Sequence, residues 1–167
     1  MTLAVNAERL KDFSLFSEFA DQPEQIKTVA RYMRVQTYKA GEYIFREGDL
    51  GDDLSLLASG AVRVLKYTKT KEEYTIVDLN GAANVFFGEL ALMDEDKRSA
   101  SIQVLENCMT YVLDRPSFLE LGKQHPEIAL PITQAIAKII SGRLRSVNDD
   151  VILLFDALVN EVESNHL

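Results

Sequence analysis

Apolar residues recur along this chain with a period that changes twice. Leu10, Phe13, Phe16 and Phe19 stand three apart, and after Pro23 the set Ile26, Val29, Ala30 and Met33 continues at helical spacing. Two short helices are therefore expected within residues 1–38. Six of the eight glycines then fall between Gly41 and Gly88, separating short runs rich in Val, Ile, Tyr, Phe and Leu. That texture belongs to many short strands joined by tight turns. Apolar and polar positions alternate with period two over residues 61–67, 74–77, 101–104 and 109–112. An all-β core over 39–114, two sheets packed as a jelly roll, suits the pattern.

From Pro116 the helical period returns. Phe118, Leu119 and Leu121 predict a short helix, and Pro126 suits a first helical position. Then Ile132, Ile136, Ile140, Leu144, Val147, Val151, Leu154, Leu158 and Val162 recur every three or four residues, a long amphipathic helix. Pro131 early in it predicts a kink or a restart, since proline removes a backbone donor and clashes with the preceding turn. The stripe, with Phe155 beside it, extends beyond what one small barrel can cover. An exposed apolar stripe is a liability in a monomer, so a homodimer through this C-terminal helix is expected. No low-complexity or Pro/Ser-rich tract interrupts the chain, which reads as one domain over 1–167 with helical flanks at 1–38 and 115–167.

Composition narrows the function. A chain of 167 residues can bury roughly 70% of its unfolded surface and so supports its own core. The net charge of −8 argues against a nucleic-acid surface, which needs clustered Lys and Arg. Apolar runs fall short of the ~20 residues that span a bilayer. The N-terminus lacks the basic start and apolar stretch of a secretory signal, so no membrane association is expected and the cytoplasm is the expected location. With only a short stretch after the long helix, no helix-turn-helix is expected in these residues. Cys108, the one cysteine, reads as a small buried hydrophobe on a strand. His125 and His166 both lie in the C-terminal helical region, away from strand carboxylates, so no metal centre is expected. With no nucleophile–base pair either, the chain reads as a binding protein and not an enzyme.

One carboxylate breaks this pattern. Glu89 sits inside the apolar run Val85-Phe86-Phe87-Gly88-Glu89-Leu90-Ala91-Leu92-Met93, and nine positions later Arg98 opens the small, polar segment Arg98-Ser99-Ala100-Ser101. A carboxylate in apolar surroundings needs a cation or a ligand. The acidic turn Asp94-Glu95-Asp96-Lys97 lets the chain double back and aim both side chains into one pocket, suited to a guest with hydroxyl and anionic groups. The bland alternative is a structural Glu89–Arg98 ion pair.

The segments Phe87-Gly88-Glu89-Leu90-Ala91-Leu92 and Arg98-Ser99-Ala100-Ser101-Ile102 closely resemble the phosphate-binding cassette of cyclic nucleotide-binding domains, here spanning 86–102. Upstream, Ala40-Gly41-Glu42-Tyr43-Ile44-Phe45-Arg46-Glu47-Gly48-Asp49 and Leu56-Leu57-Ala58-Ser59-Gly60-Ala61-Val62-Arg63-Val64 are similar to the glycine-spaced strands that precede it, nearest to the catabolite activator group. The resemblance implies a mainly β fold, a double-stranded β-helix or jelly-roll barrel flanked by helices. It gives Glu89 the ribose 2′-hydroxyl and Arg98 the exocyclic phosphate oxygens. Gly88 and Ala91 would bring backbone amides to the phosphate, Ser99 a hydroxyl and an amide, and Ala100 a thin wall. After Arg143-Leu144, where the group places hydroxyls against the purine, stand Val147 and Asn148; Asn148 and Arg143 are the candidates for the base. At Asn84 the family commonly has a glycine in a tight turn, and asparagine tolerates the left-handed conformation such a turn needs. The ligand expected is cAMP, with cGMP as alternative, and the output a moving C-terminal helix read by a protein effector. A dimerisation module with a degenerate pocket, or the sensing half of a truncated transcription regulator, are the competing readings.

Overall fold

The computed structural model describes residues 4–94 and 97–164. Glu95 and Asp96 of the expected acidic turn, His166 and the side chain of Val162 lie outside the described residues. The chain divides into two compact units, 1–132 and 133–167, where the sequence reads as one.

The first unit opens with α1 (Ala7–Leu10), a 3₁₀ helix (Ser14–Phe19) and α2 (Pro23–Arg31). The spacing of three at Leu10, Phe13, Phe16 and Phe19 matches three residues per turn, and all four are buried. Burying each such side chain stabilises the fold by about 1.5–3 kcal/mol. Helix α2 starts on Pro23, whose missing N–H costs nothing at that position. The helical segment ends at Arg31, short of residue 38, because Arg34–Tyr38 is strand β1, paired with the strand that holds Cys108 to Val112. Val35 and Thr37 are β-branched and suit a pleated surface better than another helical turn.

Five more strands follow: β2 (Tyr43–Phe45), β3 (Asp53–Tyr67), β4 (Glu73–Asn80), β5 (Phe86–Phe87) and β6 (Ser101–Asp114). All pairings are antiparallel, in the order β1-β6-β3-β4, with β2 on β6 and β5 on β3, and this path does not close on itself. Two long strands, β3 and β6, carry the sheet from Asp53↔Asp114 to Leu65↔Ser101. Gly60 lies inside β3 at φ +84°, where the register shifts, so it marks a bulge and not a turn. Leu57, Val62, Phe87, Ile102, Val104 and Cys108 form the core of the sheet. Burial first, then the charge of Glu42, pushes the Cys108 thiol up to about 11, and it stays protonated at neutral pH.

Helix α3 is one turn (Leu90–Met93). Helix α4 (Arg115–Gln124) is capped by Asp114, which accepts from Ser117 N–H at 2.9 Å. Helix α5 (Pro126–Ser164) begins in the first unit and forms the second. It runs through Pro131 instead of restarting there. Pro131 forfeits one bond to the carbonyl of Glu127, and the buried neighbours Ile128 and Ile132 offset that loss. In the second unit Leu144, Val147, Val151, Leu154, Phe155 and Leu158 are all more than half exposed. Among the described residues no helix is long and apolar enough to cross a membrane.

Candidate functional site

The cassette is reached along a runway fixed to β3. The turn at Gly81–Ala83 is capped by Asn80, whose Oδ1 accepts from Ala82 N–H at 2.8 Å, and it ends on Asn84 in the left-handed conformation, φ 55° and ψ 41°. Leu57 N–H donates to Val85 O at 3.0 Å, and Phe86 and Phe87 then pair with Leu56 and Ser55. Gly88 follows at φ +82°, a conformation that costs glycine nothing. A Cβ there would lie 2.7 Å from Asp53 O and 2.8 Å from Arg98 Nη1, so the backbone has come close to both. Glu89 is the next residue, 3% exposed, immediately before α3. Ala91 N–H closes the turn onto Gly88 O at 3.1 Å. Phe87 and Ala91 are buried and Leu90 is partly exposed.

Arg98 returns to the same place from the other side of the loop. Its backbone is clamped to the segment after β2: Arg98 N–H donates to Asp49 O at 2.8 Å and Gly48 N–H to Arg98 O at 2.9 Å. Its guanidinium, on a residue 8% exposed in all, lies over the Phe45 ring, 4.0 Å from the centroid. Nη1 donates to Asp53 O at 2.8 Å and Nη2 to Asp53 Oδ1 at 2.5 Å. Nε is buried with no hydrogen-bond partner, an unused donor. A Cβ on Gly51 would overlap Nε and Cζ, so the side chain fits because residue 51 has none. Ser99 is exposed, Ala100 half-buried, and buried Ser101 accepts the Glu47 N–H through Oγ at 2.8 Å.

The carboxylate on Arg98 is thus Asp53, a residue that sequence reasoning missed. The acids Asp52-Asp53 at the mouth of an apolar run were a signal, but nothing in the pattern tells which of the two turns inward. Asp53 also takes Arg34 at 3.3 Å, and Arg34 reaches Asp114 at 2.7 Å. Burial would raise the Asp114 carboxyl, but bonds from Ser117 and Arg34 hold it below the usual range. Burial first, then the charge of Asp53, pushes the Tyr38 phenol up to about 12. The structure therefore gathers Phe87, Gly88, Glu89, Leu90, Ala91 and Arg98 into one corner of the sheet, with Ser99 and Ala100 beside it. Arg143 and Asn148 stand exposed on the helix of the second unit.

A protein-family model described as the cyclic nucleotide-binding domain matches residues 35–125, which contain the whole cassette. The chain is 33% identical over 154 residues to the cyclic AMP receptor protein of Thermus thermophilus, covering 92% of this chain and 68% of that protein. A crystal structure of the catabolite activator protein of Thermus thermophilus superposes with a TM-score of 0.75 at 32% identity, over 84% of this chain and 62% of that one. Isozyme 1 of the cGMP-dependent protein kinase of Drosophila melanogaster is 40% identical over 102 residues, 59% of this chain but 13% of the kinase. The chain belongs to the cyclic nucleotide-binding domain family.

Proposed function

We propose that this chain is a cyclic nucleotide sensor. The observation that carries the reading is a buried acid and a buried guanidinium at the two ends of one cassette, Glu89 at 3% and Arg98 at 8% exposure, with Arg98 Nε still holding an unused N–H. That donor set suits an anionic ring with a neighbouring hydroxyl. Arg98 would take the exocyclic phosphate oxygens, exchanging its bond to the Asp53 carboxylate for them, while Glu89 accepts the ribose 2′-hydroxyl. Such a charge-assisted bond contributes about 1.5–3 kcal/mol and selects ribose over deoxyribose. Gly88 lets the backbone approach the phosphate, Ala91 and Ala100 leave room for it, and Ser99 offers its hydroxyl from an exposed position. Arg143 and Asn148 are assigned to the base.

The ligand favoured is cAMP, with cGMP the alternative; one relative is named for cyclic AMP and another for cGMP. The signal would leave through a shift of α5, whose two positions must differ in ligand affinity. No catalysis is assigned. Titration by calorimetry with each nucleotide tests this. At a concentration 100 times the dissociation constant, ligand stabilises the folded state by about 2.7 kcal/mol, which raises the melting temperature by roughly 5–11 °C. Absence of heat and of a melting shift with both nucleotides would remove the reading. A second reading, the sensing part of a transcription regulator, is favoured by the likeness to the N-terminal domain of a transcriptional regulator from Streptomyces coelicolor, at 26% identity and a TM-score of 0.71 over 86% of this chain.

Residues Leu144, Val147, Val151, Leu154 and Leu158 follow the four-three spacing of a coiled seam and are exposed. We assign them to a homodimer. Sedimentation at micromolar concentration is expected to give twice the chain mass; a monomer at high concentration would contradict the seam.

A further inference from the structure

Arg9 reaches across the first unit to the start of the cassette runway. Its Nη1 donates to Asn84 Oδ1 at 2.5 Å and its Nη2 to Gly81 O at 2.7 Å, so one guanidinium bridges both ends of the turn. Nη1 also donates to Asp12 Oδ2 at 2.9 Å, and the guanidinium lies over the Phe13 ring, 4.9 Å from the centroid. The side chain is 21% exposed, and Phe13 is fully buried. Nothing in the amphipathic pattern explains a cation held this way, since a surface arginine beside Asp12 would need no partner 75 residues away.

The turn it grips leads into the segment that carries Glu89. Gly81 is packed against Ser59, where a Cβ would lie 2.8 Å from Cα, which fixes the near end of the turn. Asn84 is the far end, in the left-handed conformation, which asparagine adopts at a cost that a side-chain hydrogen bond offsets. From Asn84 the backbone runs through Val85, Phe86 and Phe87, which pair with β3, to Gly88, so releasing Asn84 would loosen the near end of the runway that holds the Gly88–Glu89 corner. Arg98 itself is held independently by Asp49, Asp53 and Phe45.

We propose that Arg9 is a positioning residue for the ligand site, acting through Asn84 on the placement of Glu89. The inference rests on the cyclic nucleotide reading for its affinity readout and stands apart from it in a second one. The full chain is titrated with cAMP and cGMP as wild type, Arg9→Ala, Asn84→Gly and the double variant. Glycine keeps the left-handed conformation and removes the acceptor. Arg9→Ala is expected to weaken binding about tenfold, and the double variant no more than that, because the Arg9–Asn84 bond that Asn84→Gly removes is already lost in Arg9→Ala. Arg9→Lys keeps the charge over Phe13 but cannot bridge Asn84 and Gly81 together, so it is expected to fall between; it also serves should Arg9→Ala fail to fold.

In the ligand-free protein, amide hydrogen exchange is expected to rise at residues 85–89 of Arg9→Ala and to stay unchanged in β6. A merely structural arginine would loosen both segments alike. Wild-type affinity together with unchanged exchange at 85–89 overturns the proposal. If wild type binds neither nucleotide yet exchange at 85–89 rises in the variant, the positioning role stands and the ligand reading falls.

Discussion

Replacing Arg98 with alanine is expected to weaken cyclic nucleotide binding by at least 30-fold, because truncating one member of a desolvated, hydrogen-bonded charge pair costs ~2–5 kcal/mol. Three features make this guanidinium hard to replace. It is buried, it lies on Phe45, and it presents a planar fork already used on the carbonyl and carboxylate of Asp53. Arg98→Lys keeps the charge without the fork and should recover little of the affinity. The variant should still fold, since Asp53 retains Arg34 and the backbone clamp of residue 98 on Gly48 and Asp49 does not involve the side chain. Calorimetry on the folded variant reads the effect. Undiminished affinity would detach Arg98 from the phosphate.

The second large effect belongs to Gly88. Any other residue there pays twice: strain at φ +82° of about 1–3 kcal/mol, and overpacking against Asp53 O and Arg98 Nη1 of similar size. Gly88→Ala is therefore expected to destabilise the chain by about 3 kcal/mol, lowering the melting temperature by roughly 6–12 °C. Affinity should fall as well, because relief of the clash pushes the guanidinium away from the cassette. Gly122→Ala, whose added Cβ would meet Ala129 at an ordinary 3.7 Å, is the control and should melt close to wild type. A Gly88→Ala protein as stable as wild type would show that the corner relaxes easily and that its tight approach is not needed.

How much of this was legible in the chain depends on whether the cause was local. The spacing of three in Leu10, Phe13, Phe16 and Phe19 carried the N-terminal turns directly, while the tight turn at Asn84 was expected only from the family resemblance, asparagine tolerating the left-handed conformation in place of glycine. Glu89 stood out because burial of charge in an apolar run is costly wherever it occurs, and Arg98 stood out as the cation nine positions on. The end of the first helical region did not stand out. Ile26, Val29, Ala30 and Met33 carry the helical period up to the edge of β1, and what makes 34–38 a strand is its pairing with β6, about 75 residues later. Gly60 looked like a turn and is a bulge, since only the partner strand reveals the shift in register. The roles of Asp53, Gly51 and Phe45, which hold the guanidinium, could not be read for the same reason: each gains its role from a side chain about 45 to 53 residues on, and the paired acids Asp52-Asp53 did not show which of them turns inward.

The most direct test is a crystal structure of the chain grown with cAMP. One nucleotide is expected per cassette, with the ribose 2′-hydroxyl on the Glu89 carboxylate and the exocyclic phosphate oxygens on Arg98, whose bond to the Asp53 carboxylate has given way. Nucleotide bound elsewhere, with Arg98 still on Asp53 and Glu89 away from the ribose, would contradict the account.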